Sequence, residues 1–178
     1  MDTTAYFSPS EKAFLQKTFA CAERLTANYF HLVAEAWKIH RYDVKTLAHL
    51  EDHEVRKGAF AHLCKYSRHP KDPKDNPRGL HFYRVCLQDN QILDALKRGG
   101  SFIRFPPFML YIATHELVHI LRFDRGESDF DMPVVERTNE EDRVHSITRT
   151  ILLPVAHPEL NLVIDCFSNS YVIGDLSN

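Results

Sequence analysis

A chain of 178 residues with 44% hydrophobic and 26% charged side chains can bury a sizeable core as one domain and is short for two. Its formal net charge of −2 gives no basic footprint for nucleic acid, and no apolar run is long enough to cross a bilayer. No basic-then-apolar leader follows Met1, so the expected location is cytoplasmic.

The first element is a helix: Ser8 caps it, Pro9 takes the first position and Glu11 closes a capping box. Phe14, Thr18, Cys21, Leu25, Tyr29, Leu32 and Ala36 recur at threes and fours, which predicts one buried face and a helix reaching about Ile39. Residues 41–57 are polar, with Val44, Leu47 and Leu50 hinting at a weaker second helix. The stretch 59–66 reads as a short strand. His69 to Gly79 carries three prolines and reads as a mobile loop open to proteolysis. Leu80 to Leu87 alternates as a strand, and Asp89 or Asn90 opens a helix that Gly99 and Gly100 stop. Ser101 to Phe105 is expected as an edge strand. Pro106-Pro107 then opens a helix through Phe123, and Pro133 opens another that ends near Leu153, before Pro154. In the tail, Leu160 to Ile164 and Tyr171 to Ile173 look like extended pieces. The single domain is thus expected to comprise a helical part (8–57), a core (58–153) and a tail (154–178). Cys21, Cys64, Cys86 and Cys166 include no CxxC pair, so their spacing supports neither a zinc knuckle nor a redox pair. Most of them read as small buried hydrophobes.

The chemistry-bearing stretch is His115-Glu116-Leu117-Val118-His119. Two histidines four apart on a helix point the same way and can hold one zinc ion, while Glu116 reaches a water beside it. With 11 histidines in the chain, such a pentad arises by chance in roughly one chain of this kind in twenty-five. Its setting carries more weight. From Phe108 to Phe123 the helix is apolar apart from the motif residues, Thr114 and Arg122, so it is buried, and the histidines and glutamate inside it need partners. A metal supplies them; a pair of hydrogen-bonded core histidines is the plainer alternative.

A zinc hydrolase needs a third protein ligand, and the candidates are Glu136, Glu140, Glu141, Asp142 and His145. At 100° per residue, Val144, Ile147 and Ile151 define the buried side of the second helix, and Glu140 falls within about 20° of its centre. Glu136 lies about 55° away, Glu141 about 85° and His145 about 125°. Glu140 is therefore the expected ligand, although each of these acids also suits an exposed helix start.

With His115, Glu116, His119 and the Asn139-Glu140 pair, residues 106–153 resemble the gluzincins, zinc peptidases in which a glutamate on a downstream helix completes the site. The thermolysin-like pattern has an aspartate where this chain has Val144; Glu136 is the substitute candidate for orienting a histidine. The metzincin pattern is rejected, because Arg122 and Arg125 stand where it needs glycine and histidine. The resemblance implies an α+β, zincin-like fold: mostly helical with a small mixed sheet, the HExxH on a buried central helix, and the third ligand on a helix packed against it.

The expected function is a zinc-dependent metallopeptidase acting on a peptide or protein substrate. His115, His119 and Glu140 hold zinc, which activates a water, and Glu116 is the general base. His145, with Arg143 and Tyr111 as further candidates, is the donor to the oxyanion. Substrate is expected along Leu80 to Leu87 or Ser101 to Phe105 as an added strand. The alternatives are a non-proteolytic protein with structural zinc, and a di-metal redox site using Glu116-x-x-His119 and Asp142-x-x-His145, which the predicted strands disfavour. A latent enzyme is a further option, with the tail covering the cleft and Asp165 or Cys166 at the metal.

Overall fold

The computed structural model describes residues 4–33, 35–67 and 81–168. The expected loop 69–79 and the extended piece Tyr171 to Ile173 lie outside them. The fold is α+β and mostly helical. In chain order it comprises α1 (Pro9–Tyr29), α2 (Ala36–Ile39), β1 (Tyr42–Lys45), β2 (Ala61–Ser67), β3 (His81–Leu87), α3 (Asp89–Gly99), α4 (Phe105–Asp124), α5 (Val134–Leu152) and α6 (Pro158–Phe167), with short 3-10 turns at 47–49, 52–54 and 153–155.

The Ser8–Glu11 capping box forms as expected: each residue's side chain bonds the other's backbone N–H. α1 is shorter than its periodicity suggested. It ends at Tyr29, and His31 beyond it adopts a left-handed φ of 53°. Its buried stripe is Leu15, Thr18, Phe19, Ala22 and Thr26, turned by about one residue from the expected one, of which Phe14, Cys21 and Leu25 are only partly buried and Tyr29 is exposed. The expected second helix over 41–57 is instead β1 followed by two 3-10 turns. Spacings of three suit 3-10 geometry as well as α, and pairing with β3 outweighs the weak helical preference of that polar stretch.

β3 is the middle strand of a three-stranded sheet, order β1-β3-β2, parallel to β1 and antiparallel to β2. Tyr83, Val85 and Leu87 face the helices and are fully buried, while Phe82, Arg84 and Cys86 alternate onto the other face, where Phe82 and Arg84 are partly exposed and Cys86 is fully buried. Asp89, at the start of α3, accepts N–H bonds from Phe7 (3.0 Å) and Leu47 (2.9 Å), tying the N-terminal segment and the turn after β1 to the end of the sheet. Gly100, with φ of 59°, lets the chain leave α3 in a conformation other residues avoid.

Ser101 to Phe105 forms no strand. It is the turn into α4, which runs buried on nearly every side from Pro107 to Arg122. α1, α5, α6 and β2 surround this helix. Leu160 to Ile164, expected as extended, belongs to α6: Pro158 at its start and Leu160, Val163 and Ile164 on one face make an amphipathic helix against α4. Among the described residues no helix is long and apolar enough to cross a membrane.

Candidate metal centre

The site sits where α4 crosses α5. Helical spacing of four stacks His115 and His119 on the same side of α4, and the same spacing presents Glu141 and His145 from α5. The Nε2 atoms of His115 and His119 are 3.2 Å apart. The Glu141 carboxylate spans them, with Oε2 3.2 Å from His115 Nε2 and Oε1 3.3 Å from His119 Nε2. His145 brings a ring nitrogen within 4.8 Å of His115 and Glu141.

The Tyr111 hydroxyl holds Nδ1 of His145 at 2.7 Å. Phe167, the last residue of α6, stacks flat on Tyr111 at a centroid distance of 4.1 Å and lies against His145. The C-terminal helix therefore supports the site through an aromatic side chain. Asp165 pairs instead with Arg149 at 3.9 Å, and Cys166 is not among the clustered donors.

Glu140, expected as the third ligand, faces inward as its phase required but does not meet the histidines. Its two oxygens take a two-pronged pair with Arg122, at 2.7 and 2.9 Å, and Arg122 reaches Glu127 as well, at 2.9 Å. The buried carboxylate is compensated by a buried guanidinium rather than by a metal. Arg122 was the available signal, being the one cation in the apolar run of the motif helix. Glu141, about a quarter turn from the centre of the apolar face, is half-exposed at the rim, where it reaches both histidines. Glu136 is exposed, and neither it nor any other described residue bonds Nδ1 of His115 or His119. Arg143, another exposed residue, lines a surface cavity of about 620 Å³ with Arg122, Glu127 and Glu140; a larger one, about 950 Å³, lies between α1 and β1. Neither is lined by the histidines or by Glu116.

Burial presses His115 down to about 3, with His119 and His145 adding to the effect and Glu141 opposing it. It also presses on His119, but Glu141, Glu116 and Glu140 outweigh it and raise that imidazole. Burial opposes ionisation of Glu141, yet its bonds to His115 and His119 hold it well below the ordinary range. The cluster thus keeps an anionic carboxylate beside a neutral His115. Glu116 is pushed up to about 7 by burial and by Glu141, against His119 and Arg56. Its carboxylate makes no hydrogen bond to another described side chain.

The donor set fits a small tetrahedral cation. Zinc-to-imidazole bonds of about 2.0–2.1 Å place neighbouring donor atoms about 3.3 Å apart at the tetrahedral angle. The 3.2 Å between the two histidine nitrogens matches such an edge, and each nitrogen lies 3.2–3.3 Å from a different oxygen of Glu141. Comparison with known proteins returns nothing: no family model, no curated protein and no solved structure matches this chain.

Proposed function

We propose that the protein is a metal-dependent hydrolase of the HExxH class, built on a zincin-like helix pair. More narrowly, we infer a zinc metallopeptidase. The observation that carries the reading is the convergence of His115 Nε2, His119 Nε2 and the Glu141 carboxylate at 3.2–3.3 Å. Three Lewis-basic groups held that close beside one another repel unless a proton or a cation lies between them, and the spacing of the two histidine nitrogens is that of zinc ligands.

In this reading His115, His119 and Glu141 hold the ion, with Glu141 in the place first assigned to Glu140. A bound zinc lowers the pKa of a water and polarises a carbonyl. Glu116 follows His115 directly and makes no hydrogen bond to another described side chain; it takes the proton of the attacking water and returns it to the leaving amine. His145, fixed through Nδ1 by Tyr111, donates from its other nitrogen to the developing oxyanion. The substrate strand adds to β2. β3 is the central strand and has both edges paired, whereas β2 is an edge strand that packs beside α4, and an extended peptide gains main-chain bonds along such an edge.

The test is Glu116→Gln against wild type in a peptide-library cleavage assay, with metal content measured on both. The expected outcome is equal zinc and cleavage reduced by about a hundredfold or more. Wild type that carries full zinc and cleaves nothing, or a variant that cleaves as well, overturns the peptidase reading. A non-cleaving zinc protein is the second reading, favoured by the Nδ1 atoms of both histidines, which have no partner among the described residues, since catalytic ligands are usually oriented through that nitrogen.

A further inference from the structure

We propose that His62, Cys64 and Cys86 form a second metal site, a thiolate-rich zinc site on the sheet face that carries Arg84, separate from the helix site. His62 and Cys64 are two apart on β2, so both side chains leave the same face. The antiparallel register sets His62 directly opposite Cys86 and Cys64 opposite Arg84, and Cys86 shares the face of Arg84 because they too are two apart.

The three side chains converge. Cys64 Sγ lies 3.7 Å from Cys86 Sγ and 4.0 Å from His62 Nδ1, and one donor atom from each lies within 4.8 Å of the others. Zinc-to-sulfur bonds of about 2.3 Å place two thiolates about 3.8 Å apart at the tetrahedral angle, and a thiolate and an imidazole about 3.6 Å apart. The sulfur pair already stands at that separation, and the imidazole is within about 1 Å of it.

His62 is also aimed. Its Nε2 bonds the backbone carbonyl of Glu54 at 2.7 Å, which fixes the proton on that nitrogen and leaves the Nδ1 lone pair facing the sulfurs. That is how a ligating histidine is usually oriented. Arg84 stands across the strand from Cys64, but burial outweighs its cation and raises both thiols, so ligation must displace their protons to solvent. The arginine's own charge is matched by Asp43 at 2.7 Å and Glu54 at 2.8 Å. Two sulfurs and one imidazole select zinc or another thiophilic ion over magnesium or calcium. Three protein donors fill three of four tetrahedral positions, with water in the last.

Cobalt(II) is the probe, because a thiolate-to-cobalt charge-transfer band reports sulfur ligation and the helix site has no sulfur. With reduced full-length protein the band is expected to saturate at one equivalent of this site and to vanish when zinc is added. It should persist in His119→Ala, disappear in Cys64→Ser, and form with about tenfold or weaker affinity in His62→Ala. No band in reduced wild type, or a band that survives Cys64→Ser, overturns the proposal. So does a Cys64–Cys86 disulfide that, once reduced, binds no cobalt. Should Cys64→Ser fail to fold, mass mapping of alkylated wild type decides: zinc must protect Cys64 and Cys86 and leave Cys21 and Cys166 reactive. Neither result depends on peptide cleavage, so this site and the peptidase reading stand or fall separately.

Discussion

The helix cluster and the sheet cluster assemble comparable donor sets by opposite routes. His115 and His119 are neighbours because a helix repeats every 3.6 residues, so five consecutive letters suffice to place them together. His62, Cys64 and Cys86 are neighbours because β2 pairs with β3 in one register; a slip of one residue would send each strand's side chains to the opposite face. Local spacing advertises the first site, and only strand pairing creates the second. The second ligand helix lies between these cases: its inward phase was legible, but which carboxylate met the histidines depended on how α5 lies across α4.

The sharpest contrast is between adjacent glutamates. Glu141→Ala is expected to abolish metal binding at the helix site, read as the loss of one zinc per chain by elemental analysis, with the sulfur-to-cobalt band unchanged. Retained zinc at the helix site would remove Glu141 from the ligand set. Glu140→Ala should keep that zinc and instead strand the Arg122 guanidinium. Breaking a buried pair costs about 3 kcal/mol, near the low end of the usual range because Glu127 still reaches the arginine; urea denaturation measures it. A variant that loses metal without losing stability would restore Glu140 to the site.

The third test concerns the end of α4. Asp124 accepts from His40 at 2.7 Å and His81 at 3.0 Å, joining the helix to both the segment before β1 and the first residue of β3. Burial opposes its ionisation, but the two imidazoles win and hold the carboxyl below its ordinary value. Its folded pKa is therefore lower than its unfolded one. The stability it contributes is fully present above the unfolded aspartate value of about 3.9 and is lost as pH falls through the folded pKa. Denaturation midpoints across acid pH should show this loss in wild type and a flatter limb in Asp124→Asn; an identical limb would remove the carboxylate as its cause. The smallest effect is the local control: Ser8→Ala removes the α1 cap and should cost about 1 kcal/mol by thermal or chemical melting without touching either proposed metal site.

The capping box at Ser8, the buried motif helix, the strand at 81–87 and the inward face of α5 were all legible, because each follows from spacing within one element. Residues 41–57 misled because apolar residues three apart suit a 3-10 turn as well as an α-helix, and sheet pairing chose between them. Leu160 to Ile164 misled because a short apolar run has no period of its own; packing against α4 made it helical.

By itself the sequence determined which side chains share a helix face, so His115, Glu116 and His119 were fixed as a unit. Tertiary structure alone decided that Arg122 claims Glu140, that Glu141 spans the two histidines, and that Cys64 and Cys86, 22 residues apart, share a face with His62. The physical reason is range: helical geometry acts over four residues, whereas pairing a charge or registering a strand depends on residues that the chain brings together only when it folds.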